Sequence, residues 1–160
     1  MTKCLYLGEI SVSFAQVCVF NALMAQPYNE WLPRHERQGF SWRPGSVSFA
    51  TVIDRGVCQL EVLLSDEFVH PDSLSLGSAL FVVVVPFEVS AGNAVEVGSI
   101  MDGRAIVVQA AAHNLTFFDC SDQRIMKLLF SPKGGEVPRV LRARDGVGSV
   151  DEFLMTANPG

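Results

Sequence analysis

The chain has 160 residues, 49% apolar and 18% charged, with a formal net charge of −5. That composition excludes intrinsic disorder, and the length suits one domain with a full core and no need for staples. No apolar run reaches the roughly 18 residues that a membrane-spanning helix requires; the longest, Ala79 to Val85, stops at Pro86.

Lys3 is the only base ahead of Cys4-Leu5-Tyr6-Leu7, too short and too weakly basic a start for a signal peptide, so a cytoplasmic location is expected. Charge is uneven. Residues 1–122 hold 13 acids against 6 bases, and residues 123–160 hold 4 acids against 6 bases. An acidic body repels nucleic-acid phosphates and steers association with a basic partner instead. The spacings of Cys4, Cys18, Cys58 and Cys120 match no zinc pattern, and reduced thiols are expected.

Ile10, Val12 and Phe14 alternate with Ser11 and Ser13, the mark of a half-buried strand. This strand is expected to run on to Phe20 with a bend near Ala15-Gln16. Tyr28 to Gln38 has room for one helical turn before Gly39 but reads as loop. The stretch Gln38-Gly39-Phe40-Ser41-Trp42-Arg43-Pro44-Gly45-Ser46-Val47-Ser48-Phe49 reads as an aromatic loop that turns at Pro44-Gly45 and feeds a strand. Phe40 and Trp42 plug one end of a β core, or Trp42 and Arg43 face a partner. Both can hold, because adjacent strand residues point to opposite sides.

Strands are expected over 46–53 and 57–64, and the short Asp54-Arg55-Gly56 turn between them implies an antiparallel hairpin. Residues 65–78 read as a polar loop. Ala79 to Val85 is apolar on both faces, as a central strand or one buried by dimerisation would be. Pro86 cannot donate to a ladder and belongs at a bulge or an edge. Further strands are expected near 95–100, 105–109, 115–120 and 125–130. Together these make an all-β fold, an antiparallel β-sandwich of about eight strands over residues 1–130. Residues 131–160, with Arg139, Arg142 and Arg144, form a less regular C-terminal extension packed on the same domain.

No G-x-S-x-G elbow, phosphate-cradling loop or H-E-x-x-H motif occurs. The chain is therefore not expected to be an enzyme, and no cofactor is implied. Asp66, Glu67 and Asp72 with His70 are a set that could hold a divalent cation, since hard cations take oxygen ligands, but their spacing matches no EF-hand loop. A calcium- or small-ligand-binding sandwich is the alternative reading that this cluster offers.

Three blocks carry a family resemblance. They are Ile10-Ser11-Val12-Ser13-Phe14 with Gln16-Val17-Cys18-Val19-Phe20; Trp31 through Phe49; and Val84-Val85-Pro86-Phe87-Glu88-Val89 with Val95-Glu96-Val97 and Ser99-Ile100. In order and spacing they resemble the competence protein ComJ family over roughly residues 9 to 120. The resemblance implies a small all-β inhibitor that binds a nuclease and blocks DNA cleavage, in competence or as an immunity protein against a toxin nuclease. An acidic surface suits competition for a basic nuclease cleft. On this reading Trp42 and Arg43 are candidate partner anchors, and Glu30, Glu36, Asp66, Glu67 and Asp72 are candidate acidic contacts.

Overall fold

A computed structural model describes residues 1–160. The strands are β1 (Thr2–Val12), β2 (Gln16–Asn21), β3 (Phe40–Arg43), β4 (Ser46–Ala50), β5 (Gly56–Ser65), β6 (Phe81–Val89), β7 (Ala94–Ser99), β8 (Asp102–Val107), β9 (Ala111–Cys120), β10 (Ile125–Pro132) and β11 (Arg139–Arg142), with one short helix, α1 (Pro33–Gln38). They form two sheets, ordered β1-β5-β10-β9-β6-β11 and β3-β4-β2-β7-β8. Every pairing is antiparallel except β5 with β10, which run parallel. The all-β two-sheet fold read from the sequence is the fold of the protein. Its eight expected strands become eleven because the first one divides and β3 and β11 are added.

The division falls at Ser13-Phe14-Ala15. β1 lies in the larger sheet and β2 in the smaller, so this turn carries the chain from one layer to the other. The same holds for 46–53 and 57–64. They are not a hairpin, because β4 and β5 sit in opposite sheets. β4 stops at Ala50, and Thr51–Arg55 crosses the end of the sandwich. There the Val52 and Ile53 amides donate to Asp119 Oδ2 (2.9 Å) and Ser121 Oγ (3.3 Å). A short spacing between strands cannot distinguish a hairpin from such a crossing.

Alternating inward residues of both sheets make one core. Val17, Val47, Phe49 and Val97 meet Leu60, Val83, Phe117 and Leu128 there. Phe49 stacks on Phe117 across the layers at 4.7 Å. Burying one such side chain contributes about 1.5–3 kcal/mol. β6 is apolar on both faces, as its sequence implies, but it lies second from the edge. Its outward residue Val82 packs with Phe118 and Leu129 beneath Val69, Leu74 and Leu76 of the 66–80 loop. The chain covers its own apolar face, and dimerisation is not needed for that. Pro86 opposes Asn114 of β9, while β11 pairs only with Val82–Val84. The proline therefore falls past the end of β11, where β6 is itself an edge.

The outward row of the smaller sheet is Ser41, Ser48, Cys18 and Gly98, side by side on β3, β4, β2 and β7. Ser41, Ser48 and Cys18 leave room for a strap, residues 27–31, to lie against the sheet, whereas Gly98 is small because a Cβ there would meet Asp102 O of β8. Asn29 Nδ2 donates to the carbonyls of Ser41 (2.9 Å) and Ser46 (3.2 Å), and Ser41 Oγ donates to Glu30 O at 2.6 Å.

α1 replaces the last part of the loop expected over Tyr28 to Gln38. Pro33 suits its first turn, His35 Nδ1 accepts the Leu32 amide at 2.9 Å, and Gly39 closes it at φ 89°. Only a residue without Cβ takes that angle easily. The chain after β11 docks on this helix and strap. Leu154 exchanges two hydrogen bonds with Gln38, of 3.0 and 2.8 Å, and Thr156 O takes His35 Nε2 at 2.9 Å. The Glu30 amide donates to Asn158 O at 2.8 Å.

Candidate partner-binding surface

The two layers are tied together along both sides. On one side the Trp42 indole Nε1 donates to Pro86 O at 2.7 Å, bridging β3 to β6. On the other the Ser11 amide donates to Asp102 Oδ2 at 2.9 Å, bridging β1 to β8. The ends are left open, and the turns there carry the accessible features.

Trp42 reaches from its side of the sandwich toward the first end, where the Pro44-Gly45 turn lies. It packs against the core with one side and with the other lines a hollow of about 500 Å³, shared with Asn21, Pro44, Glu88, His113 and Lys133. Neighbouring Arg43 points to the opposite face of β3. Its Nε donates to Asn29 Oδ1 at 2.6 Å and its Nη2 donates to Gln26 O, so it fastens the strap. Burial pushes its pKa down from the ordinary guanidinium value, and these two acceptors offset that cost.

The five acids fall in three separate regions. Glu30 is in the strap, where its Oε1 accepts the Asn158 amide at 2.9 Å. Glu36 is exposed on α1. Asp66, Glu67 and Asp72 belong to the loop that covers the larger sheet. Asp66 Oδ1 accepts the Met1 amino group at 2.7 Å, and Asp72 Oδ1 accepts Arg139 Nη2 at 2.9 Å. His70 Nδ1 stands 3.6 Å from Asp72 Oδ2. No three His, Cys, Asp or Glu side chains converge as a metal-binding group. The fold does not gather the 66–72 carboxylates into a cation cage.

At the second end the turns 13–15, 51–55, 100–101 and 144–147 lie together. A hollow of about 390 Å³ is lined by Phe14, Trp31, Glu36, Thr51, Arg144 and Val147. Glu36 is the one candidate acid on it. Phe14 stands at its rim, 71% exposed, although alternation with Ile10 and Val12 places it on the apolar face of a strand. The sequence does carry a signal for this: the alternation fails at Ala15-Gln16, the point where a strand must bend or end. Arg144 has no comparable signal, since nothing local shows which arginine of 139–144 turns inward.

The family profile described as Competence protein J (ComJ) matches residues 9–131. The chain belongs to the ComJ family. The match runs about eleven residues past the point, near 120, where the resemblance in the sequence ends, and so takes in β10. Among solved structures, the crystal structure of ComJ from Bacillus subtilis, described as the inhibitor of the DNA degrading activity of NucA, superposes with a TM-score of 0.70 at 20% identity, covering 83% of this chain and 99% of that one. A structure described as crocagin biosynthetic gene J gives a TM-score of 0.59 at 8% identity, covering 84% of this chain and 99% of that one. At these identities the likeness speaks for the fold. A search of the curated proteins gives no match. The ComJ match spans the strap, α1 and both sheets except β11 and the first seven residues of β1, and stops before the segment that docks on them.

Proposed function

We propose that this ComJ-family chain is a stoichiometric protein inhibitor: it binds a nuclease and blocks its cleavage of DNA. The observation that carries the reading is the family match over residues 9–131, which includes nearly the whole two-layer scaffold. The related ComJ of Bacillus subtilis inhibits the DNA degrading activity of NucA. The formal charge of −5 suits a partner whose substrate cleft is basic, because an acidic surface is drawn to what binds phosphate. Inhibition by occupation requires a rigid surface rather than a catalytic group. A scaffold tied on both sides by Trp42–Pro86 and Ser11–Asp102 provides one. The protein works in the cytoplasm, and residues 131–160 move with the sandwich as one body.

The test is titration of the purified chain into a DNA-cleavage assay with the NucA-type nuclease of its own source. Activity is expected to fall linearly to near zero at one equivalent. Undiminished cleavage at a tenfold excess, with both proteins shown to be folded, would sink the proposal.

A further inference from the structure

The turn between β1 and β2 breaks a local rule. Phe14 and Ala15 take left-handed φ values of 55° and 53°. Neither is Gly or Asn, and for a bulky residue such as Phe this region is a genuine outlier. The turn closes on itself where the Gln16 amide donates to Ser13 O at 3.3 Å, which sets both central residues left-handed, and contacts from outside add to the hold. The Ala15 amide donates to Asp54 O at 2.7 Å and the Thr51 amide donates to Ala15 O at 2.9 Å. The outcome is a phenyl ring held in solvent, 71% exposed, beside Met101, 78% exposed at the tip of the β7–β8 turn. The reversal needs left-handed backbone at residue 14 but not a bulky side chain there, and strain of this kind persists where a site is presented.

Arg144 supplies an independent observation in the adjoining hollow. Its Nε is buried without a hydrogen-bond partner, and no carboxylate lies within ion-pair distance of its guanidinium. Glu36 lines the same hollow without reaching it. The buried Asp119 carboxyl feels the Arg144 charge only from beyond ion-pair distance, and an arginine stripped of part of its water and bonded to no acceptor is prepared for one from outside. A carboxylate matches its planar fork best.

We propose that this end of the sandwich is the docking face, with Phe14 inserting into an apolar recess of the partner and Arg144 receiving a partner carboxylate. The proposal rests on the nuclease-inhibitor reading and names the surface that performs it. An exposed aromatic beside a guanidinium is the composition of an interface hot spot. The partner's chemistry follows by complementarity: an apolar pocket with an Asp or Glu at its margin.

The experiment measures Kd for the nuclease, residual cleavage and Tm for wild type, Phe14→Gly, Arg144→Gln and Arg144→Lys. Phe14→Gly relieves the left-handed strain, so its Tm is expected to be equal to or above that of wild type while Kd weakens by about tenfold or more. A purely structural Phe14 would not separate the two readouts in this way. Arg144→Gln is expected to weaken Kd by about tenfold, with Arg144→Lys in between. If wild type inhibits and Phe14→Gly binds as tightly as wild type, the docking face is elsewhere and the inhibitor reading survives. If wild type neither binds nor inhibits, that reading falls and this face falls with it.

Discussion

Asp102 and Asp119 are shifted in opposite directions by their surroundings. Asp102 sits at the rim of the sandwich. The Ser11 amide and the Arg104 guanidinium both donate to it and hold its carboxyl below the ordinary value of 3.8. Asp119 is buried, and desolvation pushes its carboxyl up despite hydrogen bonds from the Ser121 and Val52 amides. The consequences for stability have opposite sign. The folded state favours ionised Asp102, so that contribution is present above the unfolded value and is lost as pH falls through the lower folded one. The folded state favours protonated Asp119, so its contribution declines as pH rises from the unfolded value through the raised one. Asp102→Asn is therefore expected to lower stability at pH 7 by only ~0.5 kcal/mol, because solvent screens a rim site. The gap from wild type should close below pH 3.8. Urea melts at pH 7 and pH 3 test this, and an unchanged gap would mean that charge is not what Asp102 contributes.

At the scale of elements, hydrophobic patterning made most strands legible, because alternation depends only on the local period of two. It could not say which strands pair, since β1/β2 and β4/β5 are neighbours in sequence but lie in different sheets. The strap was likewise invisible. Its sign in the sequence is a set of small residues, Ser41, Ser48 and Cys18, that become a row only after folding. Of the candidate contacts, Glu36 reaches the hollow beside Phe14, whereas Arg43 and Glu30 are occupied by the strap and the returning chain. Such tertiary occupancy has no local signature. The α1 junction gives an element-scale test. Gln38 is buried, and besides Leu154 its Nε2 serves Phe40 O at 2.8 Å. Gln38→Ala leaves those groups without partners, at an expected cost of about 2–3 kcal/mol. Hydrogen exchange over residues 150–160 should rise first. Uniform acceleration across all strands would instead mean that the segment and the sheets unfold as one cooperative unit.

For the whole molecule, the acidic charge and the proposed docking face govern different steps of association. Residues 1–122 carry 13 acids against 6 bases, spread over strap, helix, loop and sheet rather than gathered at one point. A distributed field of that kind steers diffusional encounter, and salt screens it over a Debye length of about 10 Å at 0.1 M. Phe14 and Arg144 form contacts only once the complex has docked, so they govern its lifetime. Stopped-flow association with the nuclease should therefore show kon falling about tenfold between low and high salt, with koff nearly constant. Phe14→Gly and Arg144→Gln should do the reverse, raising koff and leaving the salt dependence of kon intact. A kon that ignores salt would remove charge steering from the mechanism. An Arg144→Gln variant that changes kon alone would make that arginine part of the long-range field rather than a receptor for one carboxylate.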